Sequence, residues 1–135
     1  MSWTRAVWVA IALMLVACAG GTDEAKRGVS EFRARVSQRS FSEIYRLAGH
    51  EFRRATSEEQ FLRFLAALER KLGPWQSAPE PAWNVTRGTS GHLVDLTYQS
   101  QFVKGAATEQ FSWRIEDGTA ILMGYNVNSP LLVTE

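Results

Sequence analysis

Few side chains in this chain are suited to acid–base or nucleophilic chemistry, and the candidates are His50, His92, Asp95 and Glu109. A general acid or base has to be held where burial or a neighbouring charge brings its pKa towards the working pH. The first question is therefore which of these residues point into the protein. His92 and Asp95 stand three apart in a stretch of alternating apolar and polar residues, which places them on opposite faces of a strand. Glu109 shares its parity with Phe111 and Trp113. That leaves three arrangements open for it: inward in a pocket, solvated at a strand end, or paired with an arginine. Two histidines far apart in sequence make no zinc spacing, and neither a metal nor a cofactor is expected. Gly88-Thr89-Ser90-Gly91 lacks the G-x-S-x-G of a nucleophile elbow and the G-K-[ST] ending of a phosphate loop. It reads as a hairpin loop, and no residue is assigned as catalytic.

Cys18 carries a different chemistry. Arg5 precedes an apolar run over residues 6–16, followed by the small residues Ala17, Cys18, Ala19, Gly20 and Gly21, which is the order of a secretory signal peptide. The run is well short of the roughly 20 apolar residues that cross a bilayer. Leu15-Val16-Ala17-Cys18 resembles a lipobox, whose cysteine is acylated and becomes the first residue after cleavage. The expected organisation is a lipoprotein signal peptide over residues 1–17, a lipidated cysteine with a short tether over 18–21, and one α+β domain over 22–135. Two or three acyl chains hold a protein on a bilayer essentially permanently. A tether of a few residues at about 3.5 Å each keeps the domain within roughly 15 Å of the lipid. The expected location is the bacterial cell envelope, on the periplasmic side of the outer membrane in a Gram-negative host, because Ala19 stands where an aspartate would signal retention.

Charge argues in the same direction. The chain has 15 Lys plus Arg against 14 Asp plus Glu, without the concentrated basic footprint that nucleic-acid binding needs. Eleven basic and 8 acidic residues fall between Ala19 and Gly73, and 3 basic and 6 acidic residues follow, so a basic half precedes a mildly acidic one. No nucleic-acid partner is expected.

The elements that must position these residues change period near Pro74. Before it, Val29, Phe32 and Val36 recur at helical spacing, with Thr22-Asp23-Glu24 suited to a helix start. Gly28 costs the early turns about 1 kcal/mol relative to alanine, which allows the firm helix to begin as late as Ser30. Phe41, Ile44, Tyr45 and Ala48 give a second, short helix. A third opens on the capping box Ser57-Glu58-Glu59-Gln60 and carries Phe61, Phe64, Leu65, Leu68 and Leu72 as one stripe up to Gly73-Pro74. After a proline-punctuated connector the period becomes two. Four strands are expected: near Trp83, through Val94, Leu96, Tyr98, Ser100 and Phe102, through Phe111, Trp113 and Ile115, and over residues 120–127. Asp117-Gly118 marks a hairpin turn. One apolar and one polar face per strand is the pattern of an antiparallel sheet with helices on one side.

Phe41-Ser42-Glu43-Ile44-Tyr45, residues 52–73, Tyr98, Phe102, Glu109-Gln110-Phe111, Asp117-Gly118 and Leu122-Met123-Gly124-Tyr125 together resemble a bacterial family, the domain of unknown function four-zero-one-nine, within or near the cystatin-like and nuclear transport factor two-like folds. The resemblance implies an α+β fold of N-terminal helices packed on a curved four-stranded antiparallel sheet, exported or lipid-anchored, with no activity assigned. Folds of this type often enclose a pocket, which Tyr45, Tyr98, Glu109, Trp113 and Tyr125 either line or, for the aromatics, simply fill as core. Arg33, Arg35, Arg39, Arg46, Arg53 and Arg54 either contact anionic lipid or another envelope polymer or form solvated helix faces with Glu31, Glu43 and Glu51 as partners. The expected function is a lipid-anchored envelope accessory domain that binds a partner protein or a small ligand, and the alternative is a small pocket enzyme.

Overall fold

The computed structural model describes residues 20–133. Cys18 and the signal segment lie outside the described residues. The element order is α1 (Thr22–Ser37), α2 (Phe41–Leu47), α3 (His50–Ala55), α4 (Glu58–Leu72), β1 (Trp75–Ser77), β2 (Ala82–Gly88), β3 (Gly91–Phe102), β4 (Gly105–Glu116), β5 (Thr119–Asn128) and a 3₁₀ turn at Pro130–Leu132. The fold is α+β, with the helices packed against an open antiparallel sheet.

That sheet has five strands where the alternation predicted four. β1 is the addition, pairing Trp75 with Phe102 and Ser77 with Gln101. Three residues between Pro74 and Pro79 are too few to display a period. Both β1 and β2 pair with β3, and the order continues β3-β4-β5. Gly88 pairs with Gly91, leaving Thr89 and Ser90 as the two-residue turn of the β2–β3 hairpin. The helical half also holds one element more than expected, since α3 follows α2 after a break at Ala48 and Gly49. The break is held down by Gly49 N–H donating to the Leu122 carbonyl at 2.8 Å.

Local sequence chemistry explains the helix ends. The Ser57 hydroxyl accepts from Gln60 N–H at 3.2 Å and the Gln60 side chain accepts from Ser57 N–H at 3.3 Å, so the capping box satisfies two of the free donors that every helix start leaves. Gly73 closes α4 at φ 73°, a conformation that glycine adopts without steric penalty. At α1 the cap is Gly21 rather than Thr22. The helix also runs through Gly28 rather than starting at Ser30, and it packs so closely on the sheet there that a Cβ at Gly28 would stand 3.0 Å from the Trp113 ring. The intrinsic penalty of glycine is offset by close helix–sheet contact.

Val94, Leu96, Tyr98, Ser100 and Phe102 face the helices, as their alternation predicts. Phe111 and Trp113 of β4 do likewise. Together with Phe32, Phe61, Leu65 and Leu72 they form one continuous cluster of buried side chains. In β5 the alternation is broken: Ser112 pairs with Gly124 and Trp113 with Leu122, so Met123 is an extra residue. A bulge of this kind shifts parity by one. Leu122 and Tyr125, three apart, both reach the helix side as a result.

Candidate functional pocket

At the far end of the sheet from Gly20, α1, α4 and β1 leave a partly enclosed pocket of about 260 Å³. Phe32 and Val36 of α1, Leu65 and Leu68 of α4, and Phe102 of β3 make its apolar wall. Arg33, Glu69, Glu109 and Tyr125 contribute the polar groups. Each element delivers its side chain by its own period: Phe32 and Val36 are four apart on α1, and Leu65, Leu68 and Glu69 fall within one turn of α4.

Glu109 is 1% exposed, and three donors converge on it. Arg33 Nη1 lies 3.0 Å from Oε1, Ser100 Oγ donates to the same oxygen at 2.6 Å, and the Tyr125 hydroxyl donates to Oε2. Trp75 Nε1 extends the chain by donating to Ser100 Oγ at 3.2 Å. A buried charge is tolerable only when paired and hydrogen-bonded in this way. The Arg33 guanidinium is clamped further by the Trp75 ring, whose centroid is 4.1 Å away, with Tyr98 at 5.3 Å and Phe111 at 5.7 Å. Planar guanidinium groups favour such stacking.

Burial, and after it the negative charge of Glu109 and the hydrogen bond to it, hold the Tyr125 hydroxyl well above the usual tyrosine range. Tyr125 is therefore a protonated donor throughout the physiological range. Tyr98 is raised by burial, against the opposing charges of Arg33 and Lys26.

Two polar atoms in the pocket have nothing to bond. Arg33 Nη2 and Glu69 Oε2 are both buried and, among the described residues, lack any hydrogen-bond partner. Glu69 uses its other oxygen on Arg39 Nη1, 3.4 Å away. A buried donor or acceptor left unpaired costs about 1–3 kcal/mol, so such a pair marks bonding capacity available to something else.

Residues 29–125 match the family described as "Protein of unknown function (DUF4019)". The chain belongs to the DUF4019 family. No curated protein matches it. The matched span of this DUF4019 domain takes in the whole charged network, from Arg33 to Tyr125.

The structure brings together only part of the set that the sequence singled out. Glu109, Tyr98 and Tyr125 meet around Arg33. Tyr45 lies elsewhere, packed on Phe52 and Phe61, with its hydroxyl donating to the Thr56 carbonyl at 2.8 Å. Trp113 lines a separate hollow of about 250 Å³ with Gly28, Ile44 and Leu122. Asp95 is on the other face, accepting from Ser112 Oγ at 2.7 Å. His92 approaches the Gly20 carbonyl, and His50 is exposed.

Arg33 is the residue that sequence reasoning misplaced. It stands in a run of arginines whose others are elsewhere: Arg35 pairs with Glu31 and Glu43, Arg39 lies in the α1–α2 turn and pairs with Glu69, Arg46 pairs with Glu43, and Arg53 and Arg54 are exposed. Glu51 pairs with Arg114 at 2.9 Å, not with the neighbouring arginines. The signal available in the sequence was position, since Arg33 adjoins Phe32 and follows Val29 by four on the buried stripe. A larger hollow of about 370 Å³ over Gln99, Gln101 and Thr108 contains no charged side chain. There Thr108 Oγ1 bonds the Gln99 side chain at 2.9 Å.

Proposed function

We propose that this DUF4019 protein is a lipid-anchored accessory domain of the bacterial cell envelope that binds a small ligand in the pocket between α1, α4 and β1. The observation that carries the binding reading is Arg33 Nη2, a buried cationic donor with no hydrogen-bond partner among the described residues, on a side chain that lines a largely apolar pocket. Small-molecule sites generally combine apolar walls with a few convergent polar groups. The anchoring rests on the signal-like order of residues 1–21 and on Cys18 in its lipobox setting.

Binding fits the geometry better than catalysis. Glu109, the one fully buried carboxylate among the described residues, already accepts from Arg33, Ser100 and Tyr125. Its role there is to hold Arg33 in place. Tyr125 keeps its proton, and neither His50 nor Asp95 reaches the pocket. Glu69 is the other carboxylate that lines the pocket, and it is held by its ion pair with Arg39.

Native mass spectrometry of the full chain purified from its host tests the binding reading. A stoichiometric small-molecule adduct is expected on the wild type and is expected to be lost in Val36→Phe, which fills the pocket. A wild type that carries no adduct, or one that Val36→Phe retains in full, would sink it. For the anchor, radiolabelled palmitate should enter the wild type and not Cys18→Ala. Equal labelling of the two would remove Cys18 as the acceptor.

A further inference from the structure

The pocket's charges cancel before any ligand arrives. Arg33 is neutralised by Glu109 at 3.0 Å and Glu69 is faced by Arg39 at 3.4 Å. An anionic ligand would have to compete with Glu109 for Arg33, and a cationic one with Arg39 for Glu69. Either would carry a net charge into an apolar space, where desolvation is expensive. What remains after these pairings is the Nη2 amino group of Arg33 as donor and the Oε2 oxygen of Glu69 as acceptor, both buried and, among the described residues, without a hydrogen-bond partner.

We infer that the pocket takes a small, uncharged ligand of the amide class, in which an apolar group lies against Val36, Leu65, Leu68 and Phe102. Its carbonyl accepts from Arg33 Nη2 and its N–H donates to Glu69 Oε2. This rests on the ligand-binding reading above and narrows it. An amide carries an acceptor oxygen and a donor N–H on the same carbonyl carbon without net charge, so it can bond both orphan groups and leaves neither ion pair disturbed. Trp75, 38% exposed and stacked on Arg33, stands at the pocket as a flat surface for the planar amide.

The ligand reaches this pocket from water rather than from lipid. Gly20 meets Val85, and Gly21 meets His92 and Ile115. The described chain therefore begins at the β2–β3 hairpin end of the sheet. Phe102 and the pocket lie ten residues further along β3, about 33 Å at the usual rise per residue. A domain tethered through its N-terminal end holds this pocket away from the anchored side.

The test is calorimetric titration of the full chain in lipid nanodiscs with three probes of matched length, hexanamide, hexanoate and hexylamine, with empty nanodiscs as the blank. Hexanamide is expected to bind with a dissociation constant of about a millimolar, as befits so small a molecule, and the two charged probes at least tenfold more weakly. Glu69→Leu, on a partly exposed helical position, is expected to weaken hexanamide about tenfold, and Val36→Phe to abolish its binding while the melting temperature stays near that of the wild type. Charged-probe binding as tight as that of hexanamide, and lost in Val36→Phe, overturns the amide class but leaves the ligand pocket standing. No pocket-dependent heat from any probe at roughly 10 mM overturns both. A hexanamide constant that scales with the amount of lipid per protein overturns the aqueous route.

Discussion

Two aromatic clusters pack on α4, one through Phe61 and one through Phe64, and they differ in what their tyrosines do. Around Tyr45, the rings of Phe52 and Phe61 close in at 6.4 and 6.1 Å, and the hydroxyl reaches the backbone carbonyls of Arg53 and Thr56. That cluster fastens α2 to the α3–α4 junction and leaves no polar atom wanting. Around Tyr125, the rings of Phe32 and Phe111 are closer, at 4.7 and 4.8 Å. Its hydroxyl, however, supports a charged group, and the network it supports ends in an unpaired donor. In sequence the two tyrosines are alike, each an aromatic in a periodic apolar pattern. Between these two clusters it is unspent hydrogen-bonding capacity on charged side chains, rather than aromatic content, that separates the pocket from the core.

The largest test of that contrast is Glu109→Leu. It strands the buried Arg33 charge and should destabilise the protein by about 3–5 kcal/mol in urea unfolding. Adding Arg33→Met should recover most of the loss, because removing both charges removes the desolvation problem. If Glu109→Leu alone is neutral, Arg33 finds solvent easily and the pocket is not the constrained donor described above.

Tyr125→Phe comes next, at about 1.5–3 kcal/mol for a hydrogen bond to a charged acceptor. It also changes the alkaline limb of the stability curve. With the folded hydroxyl raised above the ordinary value, the unfolded chain loses its proton first. Stability is thus fully present below about pH 10 and falls as pH rises from there through the folded pKa. Tyr125→Phe should flatten that fall, leaving the smaller contribution of Tyr98, which is shifted in the same direction. Identical alkaline slopes in the two proteins would place the Tyr125 hydroxyl outside the buried network.

Tyr45→Phe is the smallest change, about 0.5–1.5 kcal/mol for neutral hydrogen bonds to backbone, with the pocket unaffected. Were it to weaken hexanamide binding as Glu69→Leu does, the two clusters would be one coupled unit and the contrast would fail.

The residue pattern alone determined a good deal. The capping box at Ser57, the stripe on α4, the alternation through Val94 and Phe111 and the hairpin turns are short-range effects, written in spacing and in side chains that bond their own backbone. Helix-on-sheet packing follows from them, because each element has one face to bury. Three features were invisible for the opposite reason. β1 is too short to show a period, and the Met123 bulge that turns Tyr125 inward has no local marker. Arg33 looks like any surface arginine until Glu109, from a distant strand, is brought beside it. Sequence spacing decided which faces would be buried, and only the tertiary structure decided which charges would meet inside. The energy of a buried ion pair depends on partners and exposure that no stretch of chain contains by itself.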